Sequence, residues 1–248
     1  MQCFCVKADE KRLIINDIDW PPFFFLSKGE IHKGLGKELL VNCLTNNNYT
    51  IEFKNLPVKR THAYMQSGDI DITVYSYKEE RNQFVLYGSE PIFHTQYGFA
   101  VRQDSNIEIT SIDDLRPLVI GHLSGLSHTP EITAIIEKNK SKQQVREGYS
   151  IESLIAQLLA EPSQFDILPN AKSTILWTAK KLGVSSQIKV LDFTAKQKNY
   201  FVTVSKFSKN VTQPEKLLAL IDQCLIEQKN NGTYDRISAQ YALTGLSK

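Results

Sequence analysis

Residues 51–76 read IEFKNLPVKRTHAYMQSGDIDITVYS, and three segments within that run decide the fold. Ile51-Glu52-Phe53 is a short strand-forming run, residues 59–67 form a helix ended by Gly68, and Ile70 to Val74 is a second, β-branched run. Strand, helix and strand in succession are the unit of an α/β fold with a largely parallel sheet. Working outward, Leu13-Ile14-Ile15 and a helix over 36–45 precede the run, and the alternation restarts after residue 110. There Ser111-Ile112-Asp113-Asp114 is a capping-box-like start, Leu118 to Ile120 a buried strand and 129–139 a helix. A further helix over 150–160 carries Leu154, Ile155, Leu158 and Leu159 on one face, and strands follow at 165–168, 188–191 and 201–204. Pro214 and Glu215 open a long helix to Lys229, Asn231-Gly232 stops it, and a short helix occupies 234–241. Two α/β lobes are implied. With no Pro/Gly-rich linker between them they are expected to be joined by strands, an arrangement that makes a hinged cleft where small ligands bind.

Composition excludes several classes of function. The chain has 248 residues, 42% hydrophobic, enough for a packed core and too much for a disordered chain. Twenty-nine basic residues against 27 acidic ones give a net charge of +2, scattered along the chain, so a nucleic-acid partner is not expected. No run approaches the roughly eighteen apolar residues of a membrane span. The richest stretch, Trp20 to Leu26, is broken by Pro21 and Pro22, and the mature chain is expected to be soluble.

Residues 1–8, MQCFCVKA, stand before the periodic pattern, and Val6-Lys7-Ala8 resembles the end of a secretory signal peptide with Ala8 the last residue removed. A signal remnant and an ordinary frayed terminus both remain open. If the cut falls after Ala8, Cys43 and Cys224 are the cysteines left. An oxidising compartment permits a pair, but both lie on apolar helical faces, and buried unpaired thiols are the expectation. No CxxC is present, and His122 and His128 match neither HExxH nor a third ligand, so no metal and no cofactor are expected.

Five motifs in register carry a resemblance. Asp17-Ile18-Asp19-Trp20-Pro21-Pro22-Phe23, Gly34-Leu35-Gly36-Lys37-Glu38-Leu39, Gly68-Asp69-Ile70-Asp71, Tyr77-Lys78-Glu79-Glu80-Arg81 followed by Glu90-Pro91-Ile92, and Gly232-Thr233-Tyr234 keep a common order over residues 12–241. The set is similar to that of type 2 periplasmic solute-binding proteins, and more specifically resembles solute-binding family 3, the polar amino-acid receptors of ABC importers. The resemblance implies a two-lobed periplasmic binding protein-like II fold, two α/β lobes joined by a two-strand hinge. Lobe 1 would be residues 9–93 with 202–248, lobe 2 residues 94–201, and the crossings would fall near His94 and Tyr200. It further implies a monomeric, non-enzymatic periplasmic receptor that closes on a small solute and hands it to an ABC permease or reports it to a membrane sensor.

Arg81 is the first binding candidate. Its paired donors fit a carboxylate, and although an arginine after Glu79-Glu80 is by itself a common surface pairing, its place in the motif points to ligand contact. Trp20 matches a cleft aromatic, with a core anchor for its loop as the alternative. Thr73, Val74 and Ser76 end the strand before Arg81, Val74 through its main chain alone. On the other lobe Gly121 to Ser127 resembles a turn that presents amides and a hydroxyl to an anion, with Ser127 the hydroxyl and His128 its neighbour.

The chain departs from the family after Asp166. Relatives that bind α-amino acids carry an aspartate about five residues on, where Asn170 or Ala171 stands here. An amide cannot neutralise a buried ammonium, which argues against a standard α-amino acid. A carboxylate, or an amine met by Asp19, Tyr75 or Tyr77, fits as well. The alternative activity is that of a cyclohexadienyl dehydratase-like cleft enzyme, for which Asp19, Glu90 and His128 are the candidate acids.

Overall fold

β1 (Lys11–Asn16) and β2 (Tyr49–Lys54) run parallel, Leu13 opposite Ile51 and Ile15 opposite Phe53, with the helix α1 (Leu35–Thr45) between them in sequence. α2 (Val58–Ser67) then leads to β3 (Ile72–Ser76), which lies parallel to β1 on its other side. In this computed structural model residues 11–26, 29, 31–126, 128–191, 197–241 and 243 are described. Ser127 and the proposed signal remnant at 1–8 lie outside them.

The chain divides into two compact units, Met1–His94 with Asn199–Lys248, and Thr95–Lys198. It passes between them within β4 (Val85–Thr95) and at the start of β10 (Lys198–Ser205).

The first unit is built on a five-stranded sheet ordered β2-β1-β3-β10-β4. Alternation along the strands sends Leu13, Ile15 and Ile72 to a core shared with α1, α6 (Pro214–Asn230) and α7 (Thr233–Gln240). Ile14 and Tyr75 go to the opposite core, with Leu56, Met65, Ile70, Phe84 and Val85. Gly34, just before α1, adopts φ 112°, and a Cβ there would stand 2.5 Å from the Phe23 carbonyl oxygen, so glycine lets that loop close on the helix.

The second unit holds β5 (Tyr97–Arg102), β6 (Ile120–Leu123), α3 (Pro130–Ser141), β7 (Val145–Gly148), α4 (Ile151–Leu158), β8 (Leu168–Ala171), α5 (Lys172–Lys181) and β9 (Ile188–Leu191). β5 is central to a three-stranded sheet ordered β8-β5-β9, β6 pairs parallel with β7, and an isolated bridge joins Ile120 to Ile167. Two cores flank these strands, one with Leu154, Ile155 and Ile175, the other with Phe99, Ile132 and Ile136. The capping box at Ser111 is present, closing a single 3-10 turn at Ile112–Leu115 rather than a longer helix.

The structure corrects two expectations. The sheets are mixed: β10, the strand by which the chain returns to the first unit, is antiparallel to β3, and β5 is antiparallel to both neighbours. Cys43 and Cys224 are disulfide-bonded, with Cα atoms 5.6 Å apart, rather than separate thiols. The apolar faces that suggested burial are the faces by which α1 and α6 pack on each other, which brings the two sulfurs together.

Candidate functional site

In the first unit β3 ends at Ser76, and the chain turns through a 3-10 segment at Glu79–Gln83 that returns Arg81 to the strand end. Arg81 is buried; its Nη1 donates to the Ser76 carbonyl at 2.8 Å, and its guanidinium lies 4.4 Å from the centre of the Tyr75 ring. The Tyr87 hydroxyl donates to the same carbonyl at 3.3 Å. The sequence candidates Arg81 and Ser76 are thus brought together on a rigid strand end.

Beside them His62 of α2 places Nδ1 2.7 Å from the Tyr75 hydroxyl. Burial, with the positive charges of Arg81 and Lys78 added to it, pushes the imidazole down to about 4, and burial raises the Tyr75 phenol. His62 and Tyr75 are therefore a neutral pair at pH 7. Tyr75 and Tyr77, offered together by the sequence, separate: Tyr75 is buried, while Tyr77 is exposed and accepts from Asn82 Nδ2 at 3.1 Å.

Thr73 and Val74 are ladder residues. Each pairs with β10, Thr73 opposite Thr203 and Val74 opposite Val202; the Thr203 hydroxyl donates to the Thr73 carbonyl at 2.9 Å, and the Val74 side chain packs on the α1 side. Trp20 is half-buried in an aromatic group, 5.1 Å from Phe23, 5.4 Å from Phe93 and 4.7 Å from Tyr200 between ring centres. Asp19 is exposed.

Asp17 has a different role from its neighbour. Its carboxylate receives the ammonium of Lys37, a wholly buried residue of the first turn of α1 that also donates to the Phe25 carbonyl at 2.7 Å and lies over the Phe53 ring. Burial lowers the Lys37 ammonium and Asp17 opposes that shift. Sequence reading took Lys37 as part of a motif and missed the pair; the signal available was a lysine among Leu35, Leu39 and Leu40.

In the second unit His128 is buried between Tyr97, whose hydroxyl meets its Nδ1, and His122, whose Nδ1 lies 3.0 Å from its Nε2. Tyr97 begins β5 and His122 lies in β6, so the chain of three crosses from one sheet to the other. Asn170, at the end of β8, is buried; its Oδ1 accepts from the Ala171 amide at 2.7 Å and its Nδ2 has no hydrogen-bond partner among the described residues. Glu90, a candidate acid, is held by Lys229. Among the described residues no group of three or more His, Cys, Asp or Glu could hold a metal, and no helix is long and apolar enough to cross a membrane.

The fold is that of the two-lobed, periplasmic binding protein-like class. A histidine kinase sensor domain with similarity to periplasmic binding proteins aligns at TM-score 0.77 and 15% identity, covering 96% of this chain and 97% of that one. An ancestral arginine-binding protein bound to arginine aligns at TM-score 0.75 and 21% identity, covering 94% and 99%. The substrate-binding protein of an ABC uptake transporter from Streptococcus pneumoniae, with bound histidine, aligns at 0.73 and 16%, covering 93% and 92%. Among curated proteins none matches by sequence. Residues 13–244 match the bacterial extracellular solute-binding proteins, family 3, and the chain belongs to that family.

Proposed function

We propose that the chain captures a small polar solute bearing a carboxylate and delivers it to an ABC-type importer, acting in the periplasm and closing by a hinge at the two chain crossings. The observation that carries this reading is Arg81, a buried guanidinium fixed by the Ser76 carbonyl and the Tyr75 ring at the end of a strand. Held in place before binding, it loses little freedom when a carboxylate arrives. Charge-assisted bonds of this kind contribute about 1.5–3 kcal/mol each. Micromolar affinity needs about 8 kcal/mol, so contacts other than the Arg81 pair have the remainder to supply.

A thermal-shift screen of amino acids, organic acids and polyamines on the wild type and Arg81→Ala tests the reading. An anionic metabolite is expected to raise the melting temperature of the wild type and to lose that effect in the variant. A ligand that stabilises both proteins equally removes Arg81 from the site.

The likeness to a histidine kinase sensor domain supports a second reading, a receptor that reports to a membrane sensor. Reconstitution with the candidate importer separates the two, because a receptor for transport stimulates ATP hydrolysis when loaded. The dehydratase reading is weakened by the Lys229 ammonium on Glu90, and turnover of prephenate or arogenate by pure protein would restore it.

A further inference from the structure

Buried polar atoms without a hydrogen-bond partner are rare in folded proteins, and each calls for a reason. Among the described residues Asn16 is the one side chain with two polar atoms in this state, Nδ2 and Oδ1, at 3% exposure. It is the last residue of β1, flanked by Lys54 of β2 on one side and by β3 on the other. The carboxyl ends of parallel strands are where α/β sheets receive ligands.

Strand alternation gives the side. Leu13 and Ile15 pack toward α1, and Ile14 packs in the opposite core with Tyr75, so Asn16 follows Ile14 to the side on which Tyr75 carries the Arg81 guanidinium. The next residue, Asp17, is a buried carboxylate already neutralised by Lys37.

Resting on the reading of Arg81 as a carboxylate anchor, we propose that Asn16 binds the solute and that the solute's second polar group is an uncharged hydroxyl or carboxamide. Asn16 presents a donor group and an acceptor oxygen, and a hydroxyl or a primary amide both accepts and donates. An ammonium can only donate. It would leave Asn16 Nδ2 unsatisfied, and Asp17, the buried carboxylate beside it, is already paired with a cation. The solute class is therefore a hydroxy acid or an acid amide.

The test uses titration calorimetry and thermal melting on the wild type and Asn16→Leu, which keeps the heavy-atom count of the side chain. The probes are glycolate, L-malate, D-malate and succinamate, set against L-glutamate, L-glutamine, L-arginine, succinate and putrescine. A hydroxy acid or acid amide is expected to bind the wild type and to lose about 10- to 100-fold in affinity in Asn16→Leu. The ligand-free variant is expected to melt about 2–6 °C higher than the wild type, because an unsatisfied amide has become an apolar side chain. Tightest binding of an amino acid overturns the proposal and leaves the receptor reading standing. An Asn16→Leu protein that melts lower, or that binds as well as the wild type, overturns it too, since the amide then has a structural partner or no part in the site. Failure of every probe to bind the wild type counts against both.

Discussion

The Cys43–Cys224 disulfide ties α1, near the start of the first unit, to α6, near its end, across a sequence separation of 181 residues. The whole second unit lies inside that loop. A crosslink over so long a loop restricts the unfolded chain strongly, by about 4–5 kcal/mol in the chain-entropy account. Reduction, or the double substitution Cys43→Ala with Cys224→Ala, is expected to lower the stability of the first unit by that order. Calorimetry with and without a phosphine reductant measures it, and an unchanged melting curve would show that the bond contributes nothing to the folded state.

The bond also marks a limit of sequence reading. Each cysteine shows as apolar-facing on its own helix, because periodicity is a property of a dozen neighbouring residues. Contact between faces 181 residues apart is not. The same distinction runs through the fold. Strand–helix alternation at 51–76 made the local units legible, whereas the antiparallel return of β10 against β3 depends on a crossing that no local pattern encodes. In the candidate site, Arg81 was singled out by its motif. The burial of Lys37 on Asp17, the packing of His62 on Tyr75 and the unsatisfied amide of Asn16 were not, since each depends on what surrounds the side chain rather than on its spacing.

The Lys37–Asp17 pair is buried on both sides, so removing one partner strands the other charge away from water. Lys37→Met is expected to destabilise the protein by about 3–5 kcal/mol, and Lys37→Met combined with Asp17→Leu to recover most of that loss. Urea unfolding of the two single variants and the double variant closes the cycle. Additive losses would mean that the two charges do not interact.

His62 gives a pH dependence of fixed sign. The imidazole is near 4 when folded and near its ordinary value of 6.5 when unfolded. Between those values the unfolded chain holds a proton that the folded chain does not, so stability falls as pH drops from about 7 toward 4 and levels off below. The full shift corresponds to about 3 kcal/mol, and the partial exposure of His62 brings the expectation to about 2 kcal/mol. Arg81 and Lys78 are the charges that act on it, and Tyr75 is its hydrogen-bond partner. His62→Phe is expected to flatten that stretch of the stability profile, measured by urea unfolding at pH 4, 5, 6 and 7. A variant with the same slope as the wild type would place the pH dependence elsewhere.

Arg81→Lys separates charge from geometry at the proposed carboxylate anchor. Lysine keeps the positive charge, but its ammonium is a point donor that cannot span two carboxylate oxygens while holding the Ser76 carbonyl, and it loses the flat stacking of a guanidinium on the Tyr75 ring. Affinity for the carboxylate solute is expected to fall about 10- to 100-fold, with the remainder showing a steeper dependence on salt. Tyr75→Leu removes the ring and leaves the arginine, and it is expected to weaken binding by a smaller factor, about threefold to tenfold, because the guanidinium loses its platform but keeps its bond to Ser76. Calorimetric titration of both variants at low and moderate salt reads the two effects separately. Equal affinity of Arg81→Lys and the wild type would mean that a positive charge alone suffices, and that the fixed fork of donors at the end of β3 takes no part in holding the solute.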